Sequence, residues 1–228
     1  FVVITGDIGS GKTTVCRTVL NQLGPETEFA LITNTHLGAK DLLSTVLEDL
    51  GVEHTSSSKA RLLSQLNAYL IRQLQNDHNV VLIIDEAQNL KPAVLEEVRM
   101  LSNLETEREK LIQIIFLGQP ELKKKLALAR LEQLRQRVAV YYHLTPLSRE
   151  DAEAYIRHRL RVASESDKQF FTDQAAAMAA EASGGIPRVI NLLCDSALLS
   201  GYVKDQSIID ADLMEEVISE SPMTQIGG

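Results

Sequence analysis

The chain has 228 residues, of which 44% are apolar and 24% are charged, a composition that excludes intrinsic disorder and fibrous repeats. No apolar run approaches the roughly 20 residues that span a bilayer. The net charge of −8 does not suggest a nucleic-acid-binding protein.

Two cysteines, Cys16 and Cys194, are too few for a disulfide framework and lack metal-binding spacing. We interpret both as packed thiols rather than redox switches. The chain starts at Phe1 without a signal-peptide pattern, so we expect a piece of a longer protein. A cytoplasmic location is expected, and the chain could also be the cytoplasmic domain of an inner-membrane protein.

Short apolar runs alternate with longer amphipathic stretches over the first two thirds of the chain. The runs are rich in Ile, Val and aromatic residues and predict buried parallel strands at residues 1–5, 29–33, 80–85, 111–117 and 138–142. The intervening stretches carry apolar residues three and four apart and predict helices at residues 12–23, 41–50, 61–74, 92–104 and 121–135. The alternation predicts a doubly wound α/β domain over residues 1–145.

After Leu144 the pattern predicts helices alone. Ser148 and Asp151 form a capping box, and Pro187 stands where a later helix begins. The predicted helices cover residues 149–162, 173–182, 187–203 and 211–220. We therefore expect a separate all-α lid over residues 146–228.

The strongest chemical signal is the loop between the first strand and the first helix, which matches G-x-x-x-x-G-K-[ST]. Backbone N–H groups of such a loop surround a polyphosphate at a helix N-terminus. We expect Lys12 to reach the β- and γ-phosphates and Thr13 to bind Mg²⁺. The residues expected to bind nucleotide are Gly6, Asp7, Ile8, Gly9, Ser10, Gly11, Lys12, Thr13 and Thr14. A glycine-rich turn without a ligand is the alternative.

A second signal is the carboxylate pair Asp85 and Glu86 at the end of an apolar strand. Neighbouring side chains of a strand point in opposite directions. Asp85 is therefore expected to hold Mg²⁺, while Glu86 polarises the attacking water. A surface carboxylate pair is the alternative. The NKxD motif that reads guanine is absent from the sequence, which argues against a GTPase.

Two further polar residues are candidates for the same site. Gln119 follows the predicted strand at residues 111–117. We expect this strand to lie between the strand that precedes the glycine-rich loop and the strand that ends at Asp85. The amide of Gln119 could then sense the γ-phosphate. Arg188 stands on the first turn of a helix, where a cation is mildly unfavourable unless an anion is bound nearby. The alternatives are a loop glutamine and a surface arginine.

Charge is unevenly distributed along the chain. Residues 120–162 carry 10 basic and 5 acidic side chains, whereas residues 163–228 carry 3 and 11. We call residues 120–162 the basic belt and interpret it as solvated helix faces, including Lys123, Lys124 and Lys125, or as a surface for phosphate or an acidic partner. Arg130, Arg135 and Arg137 cluster within it, and one could serve a neighbouring subunit.

Taken together, these motifs resemble the AAA+ ATPases of the ExeA/GspA type. The resemblance rests on the P-loop, IIDEAQNL, the stretch LEEVRMLSNLETEREKLIQIIFLGQPEL, LRQRV and GGIPRVINLLCDSALL, and covers nearly the whole chain. It implies a P-loop NTPase (AAA+) α/β fold whose five parallel strands have the order 5-1-4-3-2. Relatives of this type carry a helix and loop before the first strand, and many carry a transmembrane helix and a cell-wall-binding region after the ATPase domain.

The resemblance also implies roles for individual residues. Lys12 and Thr13 would form Walker A, Asp85 and Glu86 Walker B, Gln119 sensor 1, Arg188 sensor 2, and Arg137 an arginine finger that acts on a neighbouring subunit. The cofactors would be ATP and Mg²⁺. The chain would form a homo-oligomer with shared active sites, expected to be a hexameric ring.

The expected function is ATP hydrolysis that drives or licenses assembly of a bacterial secretion, pilus or exopolysaccharide export complex, with an inner-membrane partner. The alternative is an ATP-dependent DNA-binding regulator of the transposon target-selection type. The acidic balance favours the first function, and the basic belt supports the second. We expect no nucleic-acid partner.

Overall fold

The computed structural model describes residues 1–54, 58–106, 109–165 and 168–221. They form two compact units. The first comprises Phe1–Asp7 and Lys12–Leu144, and the second comprises Ile8–Gly11 together with the chain from Thr145 onward. Within the described residues, no helix has the length and apolar character needed to cross a bilayer.

The first unit is built on a parallel five-stranded sheet with the order β2-β3-β4-β1-β5. This confirms the order 5-1-4-3-2, and β4 lies between β3 and β1 as expected. The strands are β1 (Val2–Gly6), β2 (Thr27–Ile32), β3 (Asn79–Ile84), β4 (Gln113–Gly118) and β5 (Val140–Leu144). The helices of this unit are α1 (Lys12–Gln22), α2 (Ala39–Asp49), α3 (Lys59–Gln75), α4 (Pro92–Leu101), α5 (Glu121–Leu126) and α6 (Glu132–Gln136).

Strand β3 is buried on both faces of the sheet. Its side chains alternate between two apolar cores: Leu82 and Ile84 belong to one, and Val81 and Ile83 to the other. Helices α2, α3 and α4 contribute buried residues to the first core, while α1 contributes to the second. A strand buried on both faces reads as a continuous apolar run, which is how β3 appears in the sequence.

The fifth strand departs from the prediction of a buried strand. β5 lies at the edge of the sheet, and Val140 and Tyr142 are 51% and 56% exposed. An edge strand has only one hydrogen-bonded neighbour, here β1. Apolar character alone did not distinguish this edge from the sheet interior.

The single helix expected over residues 121–135 was also wrong. The segment consists of α5, a short 3₁₀ helix at Ala129–Leu131, and α6. Leu128 between them is extended, with φ −61° and ψ 135°. The buried residues Leu126 and Leu131 are five positions apart, a spacing that one α-helical face does not provide, so the break lets both reach the core.

The second unit contains α7 (Arg149–Ser164), α8 (Asp173–Ala182), α9 (Pro187–Val203) and α10 (Ala211–Glu220). The Oγ of Ser148 accepts the backbone N–H of Asp151, so the predicted N-cap is formed. Small side chains such as Ala175 and Ala179 let the helices approach closely around Leu193 and Met214. An isolated parallel β-bridge joins Phe171 and Ile209.

Candidate nucleotide-binding site

The candidate residues of the first unit lie at the carboxyl ends of the strands. β1, β3 and β4 run parallel, so the segments that follow their carboxyl ends emerge on the same side. Gly6 ends β1, Asp85 and Glu86 follow β3, and Gln119 follows β4. Lys12, Thr13 and Thr14 form the first turn of α1.

The side chain of Lys12 turns back into the loop that precedes it. Its Nζ donates to the backbone carbonyl oxygens of Gly6 and Asp7, both at 2.9 Å. Only 6% of Lys12 is exposed. An ammonium group is therefore held at the N-terminus of α1, where the helix dipole also favours an anion.

Residues Ile8–Gly11 of the loop have the features expected of a phosphate cradle. Gly9 and Gly11 adopt left-handed φ angles of 80° and 90°. A Cβ added to Gly11 would meet no atom within 4 Å, so open space adjoins the backbone there. Among the described residues, the buried Oγ of Ser10 has no hydrogen-bond partner. An unpaired buried hydroxyl in a glycine-rich loop fits a phosphate ligand.

Thr13 and Asp85 supply oxygen ligands suited to Mg²⁺. The Oγ1 of Thr13 donates to Oδ2 of Asp85 at 2.5 Å, and Oδ1 of Asp85 accepts the backbone N–H of Glu86 at 2.9 Å. Asp85 is 8% exposed. A hydroxyl and a carboxylate on adjoining elements form a hard oxygen donor set, so both residues fit the metal role expected for them.

The Glu86 carboxylate is held by two side-chain amides. Its Oε2 accepts from Nε2 of Gln88 at 2.6 Å and from Nε2 of Gln119 at 3.1 Å. Glu86 follows β3 with φ 51° and ψ 37°, so this left-handed turn directs its side chain rather than strand alternation. Glu86 and Gln119, predicted separately from the sequence, therefore lie in contact.

Two residues of this cluster were missed. Gln88 contacts Glu86 and also accepts the backbone N–H of Gln119 at its Oε1, at 3.1 Å. Lys125 was expected on a solvated helix face, but its Nζ donates to the carbonyl oxygens of Gln88 and Leu90. One signal was available: Lys125 lies on the same face of α5 as the buried Leu122 and Leu126.

Arg188 lies on the first turn of α9, as the sequence predicted. Within the second unit its backbone N–H donates to the carbonyl oxygen of Gly9 at 3.2 Å. A Cβ on Gly9 would lie 2.5 Å from the Cβ of Arg188, so a glycine is needed at this approach. The Arg188 side chain is exposed.

Arg137 lies at the opposite end of the strands from Glu86. It precedes β5, whose residue Val140 pairs with Val2 near the start of β1. Its guanidinium donates to Oγ of Ser102 at 2.8 Å. Arg130 and Arg135 are exposed within the same segment.

Neither cysteine has the properties of a reactive group in the candidate nucleotide-binding site. Burial raises the pKa of the Cys16 thiol, with the nearby Asp85 carboxylate adding to the rise, and burial raises the pKa of Cys194 to about 12. Thiols held neutral in this way are poor nucleophiles. In the part of the chain that the structure describes, no group of three or more His, Cys, Asp or Glu side chains could hold a metal ion.

A glycine-rich loop connects β1 to α1, and an acidic pair follows β3, which lies two positions from β1 in the sheet. This arrangement defines the class of P-loop nucleoside triphosphatases. Within this class, the chain can be assigned to a family. The model of the AAA domain family matches residues 1–126, and the chain belongs to that family.

A curated relative supports the more detailed resemblance. The chain is 42% identical over 215 residues to the general secretion pathway protein A of Aeromonas hydrophila, which confirms the similarity to the ExeA/GspA type. The match covers 93% of this chain and 39% of that protein, so the chain spans about two fifths of the relative's length.

Solved structures show the same fold at low sequence identity. The ORC2 protein of Aeropyrum pernix in its ADP form has a TM-score of 0.75 at 15% identity, covering 96% of this chain and 62% of that chain. Cdc6p of Pyrobaculum aerophilum has 0.73 at 16%, covering 100% and 63%. The RuvB Holliday junction branch migration motor of Thermotoga maritima has 0.67 at 19%, covering 96% and 60%.

Proposed function

We propose that this protein binds Mg-ATP and hydrolyses it to ADP and phosphate. The observation that carries the proposal is the Glu86 carboxylate, which accepts hydrogen bonds from Gln88 and Gln119 and directly follows Asp85. A carboxylate held by two amides beside a hard oxygen donor pair is suited to polarise a water molecule. The AAA domain match supports the same class of reaction.

In the proposed reaction each residue has a separate task. The Lys12 ammonium neutralises charge on the β- and γ-phosphates of the substrate, and the backbone N–H groups of Gly6–Thr14 surround them. Thr13 and Asp85 would hold Mg²⁺, which supplies charge neutralisation when bound. Glu86 accepts a proton from the attacking water, while Gln119 orients the carboxylate and the water.

We further propose that hydrolysis requires an oligomer. Charge that spreads over the γ-phosphoryl oxygens in the transition state is stabilised by additional guanidinium groups. Arg188 is the candidate from the same chain. Arg137 is the candidate from a neighbouring chain of a homo-oligomeric ring, because it lies at the opposite end of the strands from Glu86.

A metal-ligand variant tests the ATPase proposal. We expect wild-type protein to release phosphate from ATP only with Mg²⁺, and Thr13→Ala to lower that rate by about tenfold or more through loss of a ligand. Thr18→Ala is the matched control, since exposed Thr18 on the same helix bonds to the carbonyl oxygen of Thr14. Wild-type protein that releases no phosphate with Mg²⁺ would contradict the proposal, as would equal rates in the two variants.

We propose that the ATPase drives or licenses assembly of a secretion, pilus or exopolysaccharide export complex. Support comes from the 42% identity to general secretion pathway protein A. The proposed location is the cytoplasm or the cytoplasmic side of the inner membrane, and the proposed partner is an inner-membrane assembly protein.

The contacts of the basic belt favour this role over DNA regulation. Arg149 and Arg157 both form ion pairs with Glu153 on α7. Lys123 lies over the ring of Tyr141, with its Nζ 5.5 Å from the ring centroid, and Lys125 binds backbone carbonyls. Arg149 and Arg157 remain exposed, but the Glu153 carboxylate offsets part of their charge and so lowers the positive potential that a phosphate would meet.

A segment exchange tests the assembly role. The matching segment of the Aeromonas hydrophila protein would be replaced by this chain, and secretion by the bacterium measured. We expect secretion to be restored by the exchanged protein and lost when it also carries Lys12→Ala. An exchanged protein that is stable, hydrolyses ATP and restores no secretion would refute the assembly role and leave the ATPase intact.

A further inference from the structure

Lys125 is a cation in an unusual position for a residue next to the proposed site. It lies on α5 between the buried residues Leu122 and Leu126, and its Nζ donates to the backbone carbonyl oxygens of Gln88 and Leu90, the latter at 2.6 Å. These carbonyls belong to the short 3₁₀ segment after Glu86 and to the residue that ends it. Lys125 therefore joins α5 to the turn that follows β3.

This contact restrains a group that prefers water. Burial lowers the pKa of Lys125, and the charge of Arg130 lowers it further. Removing an ammonium from water is unfavourable unless acceptors replace the lost solvent. The two carbonyl oxygens provide that replacement and so hold the ammonium group in place. In return, the ammonium group fixes the carbonyl groups of the turn.

The turn carries the groups that orient the Glu86 carboxylate. Glu86 is left-handed, a conformation that L-residues hold only when surrounding contacts enforce it. Gln88 donates from Nε2 to Glu86 and accepts at Oε1 from the backbone N–H of Gln119. Gly118 leaves room for this amide, because a Cβ there would lie 2.8 Å from Oε1 of Gln88. Gln88 thus fixes Glu86 relative to the end of β4.

We propose that Lys125 and Gln88 are positioning residues for Glu86. Lys125 anchors the carbonyls of the turn, the anchored turn orients the Gln88 amide, and the amide holds the carboxylate in the direction needed to polarise water. This inference rests on the proposed catalytic role of Glu86. Neither residue is assigned to contact the nucleotide, so both should affect turnover rather than affinity.

The first measurement is independent of activity. The ¹³C resonance of the Glu86 carboxyl group, assigned by its loss in Glu86→Gln, reports the environment of that carboxylate. We expect Lys125→Met and Gln88→Met to shift it, and Lys124→Met to leave it unchanged, because Lys124 is an exposed neighbour on the same helix. An unchanged resonance in folded Lys125→Met would overturn the proposal, whatever the protein's ATPase activity.

The second measurement is turnover. We expect Lys125→Met to lower kcat about tenfold or more while the nucleotide Kd changes less than about threefold, since misplacing a reacting group costs rate rather than binding. Lys125→Arg should retain more activity than Lys125→Met, because a guanidinium also donates to carbonyls. In a Glu86→Gln background, Lys125→Met should add little further loss, because both changes act on the same carboxylate.

The outcomes separate this inference from the proposed ATPase. Wild-type protein without turnover would refute the ATPase proposal, and the carboxyl resonance would still test the positioning. An active wild type in which Lys125→Met changes kcat no more than Lys124→Met would refute the positioning alone. If Lys125→Met does not fold, Gln88→Met gives the same two readouts, and an unshifted resonance there would overturn the proposal.

Discussion

Two adjacent glycines before α9 provide a controlled test of the packing in the second unit. Gly184 and Gly185 both adopt left-handed φ angles, of 58° and 74°. A Cβ on Gly184 would meet nothing within 4 Å, whereas a Cβ on Gly185 would lie 2.1 Å from the carbonyl oxygen of Leu147. Gly185 also accepts the backbone N–H of Leu147 at 2.9 Å. The two sites share a conformation and differ in the available space.

The expected destabilisation follows from these contacts. An L-residue in the left-handed region costs about 1–2 kcal/mol, partly offset by the lower entropy of the unfolded alanine variant, so Gly184→Ala should lose about 1 kcal/mol. Gly185→Ala carries the same cost. It must also move a backbone carbonyl by about 1 Å, which adds about 1–3 kcal/mol of overpacking and about 1 kcal/mol from the weakened hydrogen bond. The total is about 3 kcal/mol or more.

Urea unfolding followed by far-ultraviolet circular dichroism measures the difference between the two variants. We expect Gly185→Ala to have the lower midpoint by a margin equivalent to about 2 kcal/mol or more, from the difference of the two estimates. Equal midpoints for Gly184→Ala and Gly185→Ala would refute the argument that the Leu147 carbonyl crowds this glycine.

Three further predictions concern assembly, partners and the thiols. Arg137→Ala should bind ATP but be inactive alone, and mixing it with Lys12→Ala should restore part of the activity, because each chain lacks a different half of a shared site. No recovery in the mixture, together with wild-type activity that is independent of protein concentration down to a monomer, would contradict this. Binding to duplex DNA should be undetectable at roughly 0.15 M salt, and a micromolar, salt-sensitive affinity in a titration would instead favour the DNA-regulator function. Cys16 and Cys194 should react with iodoacetamide at pH 8 at least about tenfold more slowly in folded than in urea-unfolded protein, because burial raises both pKa values; equal labelling by mass spectrometry would show this burial to be wrong.

Local signals in the sequence were sufficient to predict the helices of the second unit. The Ser148 cap and Pro187 at the first turn of α9 mark helix starts through contacts within a few residues. The predicted bounds of α8, α9 and α10 agree with the structure. Capping is a local interaction, so its residue pattern is visible without knowledge of the fold.

The sheet order followed from the resemblance to a known family, but some other features that depend on contacts between distant segments were not predicted. β5 is exposed because none of its residues belongs to either apolar core of the first unit, and apolar character does not encode this. The contacts of Lys125 with Gln88 and Leu90 join segments more than 30 residues apart. The P-loop and the Asp85–Glu86 pair were recognisable because their chemistry requires fixed local spacing, whereas the amide of Gln88 acquires its significance only beside Gln119.

Glu86 is proposed to polarise the water that attacks ATP, and the substitution Glu86→Gln tests this role. The substitution keeps the size of the side chain and removes the proton acceptor. We expect the Kd for Mg-ATP to stay within about threefold of wild type while phosphate release falls by about 10²-fold or more. Wild-type turnover in Glu86→Gln would show that another group activates the water.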